Sequence, residues 1–139
     1  MSLDQRQLCD IQGRLFVNAL KEGYAPSSFI PVFMNSSSAA HLDDDYDRLQ
    51  WAGEEYILEE LTDENVIRKG PAGHFTEEAM FWIGYLYRYW HYYAKELSKD
   101  IYKQADEKVM ETSYDGFHTL DPEMAVDRLK EINELNRSL

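Results

Sequence analysis

The chain has 139 residues, of which 44% are hydrophobic and 14% aromatic, and its 26 acidic against 14 basic side chains give a formal charge of −12. This length predicts a single domain over residues 1–139, and the apolar content excludes an intrinsically disordered chain. The negative charge disfavours nucleic acid and anionic membranes as partners, since both are bound largely through lysine and arginine.

The spacing of apolar residues predicts an amphipathic helix over residues 4–22, which places Leu8, Ile11 and Leu15 on one face. Serine-rich breaks then separate a short helix over residues 29–34 from a helix that is predicted to run from residue 39 through residue 49, with Tyr46 on its apolar face. Gly53 is expected to interrupt this helix before another helical piece around residues 56–61.

The longest predicted helix follows a loop at residues 66–73, where two glycines and a proline disfavour both helix and strand. Thr76 is expected to cap this helix, and the pattern then predicts one continuous rod over residues 76–97. Shorter helices are expected after Ser98 and Asp106, and a last one after Asp121, which precedes a proline. The prediction is an all-α fold, a compact orthogonal bundle of about five to seven helices around the central aromatic helix.

One face of the central helix combines a glycine with groups that bind anions. Two interpretations of Gly84 stay open: it allows a neighbouring helix to pack closely, or it leaves a notch for a small anionic ligand. In the second case Arg88 would bind a carboxylate or phosphate, with Tyr87 and His91 as further hydrogen-bonding groups.

The segment from His41 to Glu64 holds ten acidic residues and one basic residue, Arg48, and therefore carries −9 of the net charge. Such a density is either a solvated face or a surface that meets a positively charged partner. The residues predicted for the partner surface are Asp43, Asp44, Asp45, Asp47, Glu54, Glu55 and Glu59. Four of them match positions of a calcium-binding loop, but Arg48 stands where that loop needs glycine, so no metal site is predicted.

Other catalytic and cofactor chemistry has little support in the sequence. Cys9 is the single cysteine, the four histidines are scattered, and phosphate-binding, dinucleotide-binding and serine-hydrolase motifs are lacking. We therefore predict no catalytic residues, no cofactor and no metal. With no signal-peptide pattern at residues 1–4 and no long apolar run, the sequence favours a cytoplasmic protein.

Three blocks of sequence suggest a family. They are FMNS at residues 33–36, EAMFWIGY at 78–85 followed by YRYW at 87–90, and HTLDPEMA at 118–125. Over nearly its whole length the chain resembles a group of small uncharacterised bacterial helical proteins, a domain of unknown function. Some members accompany genes of the toxin and antitoxin type, so the resemblance implies a bacterial, cytoplasmic setting and binding to a partner protein. It implies no functional residues.

Two main functional hypotheses follow, and a third, mimicry of nucleic acid by the acidic helix, would require carboxylates spaced like phosphates. The favoured one is a non-enzymatic protein-interaction domain, antitoxin-like or a regulatory subunit, which presents the acidic surface to a basic protein. The alternative is a small-molecule binding protein or an unrecognised enzyme with its site over Gly84. Homo-oligomerisation is left open, because the last helix, with Leu129, Ile132 and Leu135, can pack inside the monomer or against a second copy.

Overall fold

Apolar residues spaced three and four apart organise the chain into eight α-helices in the computed structural model, which describes residues 1–138. These residues form no strand, and their one antiparallel bridge joins Tyr24 to Lys69. The all-α prediction is confirmed, with one helix more than the upper end of the predicted range. In chain order the elements are α1 (Leu3–Lys21), α2 (Pro26–Met34), α3 (Ser37–Asp43), a 3₁₀ turn (Arg48–Trp51), α4 (Glu54–Glu64), α5 (Glu77–Ala94), α6 (Ser98–Gln104), α7 (Glu107–Phe117) and α8 (Pro122–Arg137).

The centre of the bundle is the pair formed by α1 and α5, which approach closely because each contributes a glycine at the contact. A Cβ on Gly84 would lie 2.5 Å from the backbone oxygen of Gln12 and 2.8 Å from Cγ of Phe16. A Cβ on Gly13 would lie 2.8 Å from the ring of Phe81. Gly84 therefore serves close helix packing, because its added Cβ would meet backbone, whereas at Gly13 the Phe81 side chain would have to shift.

Aromatic side chains fill the interior around this pair. Phe16 of α1 meets Phe29 and Phe33 of α2 edge to face, at centroid distances of 5.0 and 5.5 Å. Tyr87 and Trp90 of α5 are buried in the same core. Because α5 also contacts α6, α7 and α8, it is the central helix that the sequence predicts. No helix within residues 1–138 combines the length and the apolar character that a bilayer span would need.

Local capping sets the ends of α5. Thr76 caps it as predicted, since its hydroxyl accepts a hydrogen bond from the Ala79 backbone N–H at 3.1 Å. The predicted extension to residue 97 is wrong, because Lys95 adopts the left-handed conformation with φ of 58° and ends the helix. Leu97 then becomes the N-cap residue of α6 and is exposed.

The predicted helix over residues 39–49 is also wrong, because α3 ends at Asp43. Residues 44–47 are not helical, and the carboxylate of Asp47 accepts a hydrogen bond from the Leu49 backbone N–H at 2.8 Å to start the 3₁₀ turn. Tyr46, predicted on the apolar helix face, is instead 95% exposed. Asparagine and aspartate side chains commonly compete with helical backbone bonds in this way.

Candidate functional site

The acidic surface of the folded protein consists of residues 44–64, that is, the segment after α3, the 3₁₀ turn and α4. On α4 the apolar residues Ile57, Leu58 and Leu61 are buried against the bundle. Helical geometry therefore turns the intervening carboxylates of Glu55 and Glu59 to the outside, where both residues are exposed.

Few of these carboxylates have a cation next to them. Glu54 pairs with Arg14 of α1 at 3.0 Å, and Asp47 lies 2.6 Å from His41. Within residues 1–138 the other carboxylates of the acidic surface have no ion-pair partner. They are Asp44, Asp45, Glu55, Glu59, Glu60, Asp63 and Glu64.

The electrostatics of α4 itself are unfavourable at one end. Glu54 and Glu55 lie in its first turn, where the positive end of the helix dipole stabilises them, but the last turn contains Asp63 and Glu64 and no basic residue. An acidic side chain at a helix C-terminus costs about 0.3–1 kcal/mol when exposed. The carboxylates in the last turn of α4 therefore do not stabilise the helix, so helix stability does not explain why they are present.

Asp43, which the sequence places on the partner surface, is removed from it by the fold. Its side chain is only 5% exposed and accepts hydrogen bonds from Nη1 of Arg88 at 2.7 Å and from the backbone N–H and hydroxyl of Ser98 at 2.8 and 2.7 Å. The correction has a physical reason: a buried guanidinium needs a carboxylate partner. The pair joins residues 45 positions apart, so local pattern does not reveal it.

Arg88 is held entirely within the protein, with its side chain 1% exposed. Nε donates to Oε1 of Gln12 at 2.8 Å, and Nη2 donates to the Ser98 hydroxyl at 3.2 Å. The Gln12 amide in turn donates to the carbonyl oxygen of Gly84 at 2.9 Å. The network thus ties α1, α3, α5 and α6 together, and three guanidinium nitrogens are engaged by protein acceptors.

The other two residues of the predicted ligand site also turn their polar groups to the protein. The Tyr87 hydroxyl donates to the carbonyl oxygen of Ala105 at 2.6 Å, and burial raises the pKa of Tyr87 well above its ordinary value. Nδ1 of His91 lies 2.6 Å from the carbonyl oxygen of Glu96, which identifies it as the protonated nitrogen. Burial, with the nearby Arg88, lowers the pKa of His91. The space over Gly84 is filled by α1.

Exposed aromatic residues accompany the carboxylates, a feature that charge counting does not detect. Tyr46 is 95% exposed, Trp51 is 77% exposed and Tyr56 on α4 is 55% exposed. Tyr46 and Trp51 line a cleft of about 560 Å³ between the start of α1 and residues 44–51. The residues that line this cleft are Ser2, Asp4, Gln5, Gln7, Leu8, Ile11, Asp45, Tyr46, Gln50, Trp51 and Tyr92. The wrong helix assignment at residues 44–49 hid this cleft from the sequence prediction.

Nucleophiles and metal ligands are not assembled in the described part of the chain. Burial raises the pKa of the Cys9 thiol to about 12, so this side chain is a poor nucleophile. Within residues 1–138 no group of three or more His, Cys, Asp or Glu side chains is placed to hold a metal ion. Comparisons with protein-family models, curated proteins and solved structures found no match to this chain.

Proposed function

We propose that the protein is a non-enzymatic interaction domain whose acidic surface binds the basic face of a partner protein, as an antitoxin-like or regulatory subunit. The observation that carries this proposal is the set of seven carboxylates, within residues 44–64, that have no ion-pair partner in the described chain. A basic partner would supply the missing cations.

Energetics support this function over a solvated face. Like charges on neighbouring helical positions repel, and the carboxylates of Asp63 and Glu64 oppose the dipole of α4. Lysine and arginine side chains of a partner would attract these carboxylates and offset the repulsion between them. The same field accelerates encounter with a basic protein and makes association sensitive to salt.

The exposed aromatic residues support a protein rather than a simple ion as the partner. Tyr46, Trp51 and Tyr56 lie among the carboxylates and expose large apolar rings. Tyrosine and tryptophan are enriched in the cores of protein interfaces, where they contribute much of the binding free energy. The acidic surface therefore combines contact area with charge.

The test is affinity capture from the native host with the wild-type chain and two variants of equal net charge. One reverses Asp44, Asp45 and Glu55 to lysine, and the other, the control, reverses Asp115, Glu131 and Glu134, which are exposed on α7 and α8. We expect a basic partner that both the wild type and the control retain at low salt and release at high salt.

The captured partner is then purified and its Kd is measured for all three chains. Reversal on the acidic surface should weaken binding by at least about tenfold, whereas the control should change it by less than about threefold. Equal losses for the two variants would show that only total charge matters, and an unchanged Kd for the first variant would contradict the proposal directly.

A further inference from the structure

The cleft between the start of α1 and residues 44–51 has the chemistry of a cation site. We infer that it receives the side chain of a lysine or arginine presented by the basic partner. This inference rests on the proposed function and adds to it the contact at which one cation of the partner is recognised. Three features of the cleft support it, namely the side chains of its walls, its charges and one unpartnered hydroxyl.

Aromatic and aliphatic groups form the walls. Trp51 and Tyr46 expose their rings at the edge of the cleft, while Leu8 and Ile11 of α1 contribute apolar surface inside it. A cation over the face of tryptophan or tyrosine is attracted by the ring quadrupole. The methylene stem of a long cationic side chain packs on aliphatic surface while its charged head stays near polar groups. The walls of the cleft offer both kinds of contact.

The charges of the cleft select a cation over an anion. Asp4 and Asp45 line it, neither has an ion-pair partner within residues 1–138, and the lining contains no lysine, arginine or histidine. The start of α1 is engaged internally, because Ser2 and Gln5 form a reciprocal capping box. The backbone N–H groups of Ser2 and Gln5 are therefore already used.

Tyr92 contributes an acceptor that the protein itself does not use. Its hydroxyl oxygen is buried and has no hydrogen-bond partner in the described chain, and the residue lines the cleft. Burial raises the pKa of Tyr92 to about 12, so the group is a neutral phenol at neutral pH. A phenol oxygen accepts a hydrogen bond from an ammonium or a guanidinium N–H. The hydroxyl oxygen is covered in this structure, so a small rotation of the Tyr92 side chain would bring it to the incoming cation and satisfy it.

The experiment uses capped pentalysine as the probe and the same peptide with acetylated lysines as its neutral counterpart. Binding to the full chain is followed by NMR, with the indole N–H of Trp51 and the amides of residues 2–11 as reporters. We expect pentalysine, and not the acetylated peptide, to shift these resonances. Trp51→Ala should weaken binding by about tenfold, and Trp51→Phe should restore part of the loss.

Matched variants separate the cleft from the rest of the acidic surface. Tyr93→Ala removes an exposed ring of α5 that lies outside both the cleft and the acidic surface. Glu59→Gln removes one charge of the acidic surface outside the cleft, and Asp45→Asn removes one charge inside it. We expect Tyr93→Ala to change affinity by less than about twofold, and Asp45→Asn to weaken binding more than Glu59→Gln.

Pentalysine binding that tolerates Trp51→Ala and responds equally to both charge variants would overturn the cleft while leaving the acidic surface as the binding face. A wild-type chain that does not distinguish pentalysine from its acetylated form at low salt would overturn both the cleft and the proposed function.

Discussion

Asp43 at the end of α3 and Arg88 in the middle of α5 form a buried ion pair, with 2.7 Å between Oδ1 and Nη1. Their side chains are 5% and 1% exposed. Such a pair stabilises its surroundings only while both partners are present, since removal of one leaves an uncompensated buried charge. It accounts for the absence of Asp43 from the acidic surface.

The first prediction concerns this pair. Asp43→Ala should lower the free energy of unfolding by about 3–5 kcal/mol, because the guanidinium of Arg88 keeps its buried position without a counter-charge. Asp44→Ala, one residue later and exposed, should change it by less than about 0.5 kcal/mol. Urea denaturation followed by circular dichroism measures both. Equal effects of the two substitutions would contradict the assignment of Asp43 to the interior.

The second prediction compares two helical glycines. Gly84→Ala should destabilise the protein by about 1–3 kcal/mol, because the new Cβ would meet the Gln12 backbone oxygen at 2.5 Å. Gly116→Ala on α7 meets no atom within 4 Å and should stabilise it by about 0.5–1 kcal/mol through helix propensity. Thermal and urea unfolding of both variants measures the difference in sign. A stabilising Gly84→Ala would show that α1 and α5 are not in close contact.

The third prediction concerns pH. The hydrogen bond that the His41 ring donates to Asp47 raises the pKa of His41. The bonds that Asp47 accepts from the Leu49 N–H and then from His41 lower the pKa of Asp47. The contribution of His41 to stability is complete below its ordinary pKa of about 6.5 and is lost as pH rises through the raised value. That of Asp47 is present above its ordinary pKa of about 3.9 and is lost as pH falls through the lowered value.

The pair is therefore at full strength between these ordinary values, and residues 44–51 should exchange amide protons faster above neutral pH than the solvent catalysis of exchange explains. An NMR titration of the His41 ring in the wild type and in Asp47→Asn measures the coupling. The midpoint should move to lower pH in the variant. An unchanged midpoint would mean that His41 and Asp47 do not interact in solution.

The sequence predicts those features of the fold that depend on near neighbours. The cap at Thr76 and the helix start at Asp106 are confirmed. Each of these side chains accepts a hydrogen bond from a backbone N–H three residues ahead, a relation that is visible in the sequence. Period and composition likewise give the helix class and the central position of α5.

The burial of Asp43 involves groups that are distant in the chain. It depends on Arg88 and Ser98, which reach Asp43 only in the folded protein. The cleft with Trp51 and Tyr46 brings residues 44–51 against the start of α1, so no local rule could place it. The wrong helix assignment does not change the charge of the surface, because carboxylates outside the core stay exposed whether or not the chain around them is helical.

The glycine contact between α1 and α5 also bears on the order in which the chain acquires its structure. Three helices separate α1 from α5 along the chain. The contact between them therefore closes a long loop, and the entropy cost of that closure comes before any free energy is gained from packing. During synthesis α1 leaves the ribosome well before α5 does. The part of the apolar face of α1 that packs against α5 therefore stays exposed to solvent until α5 has been translated.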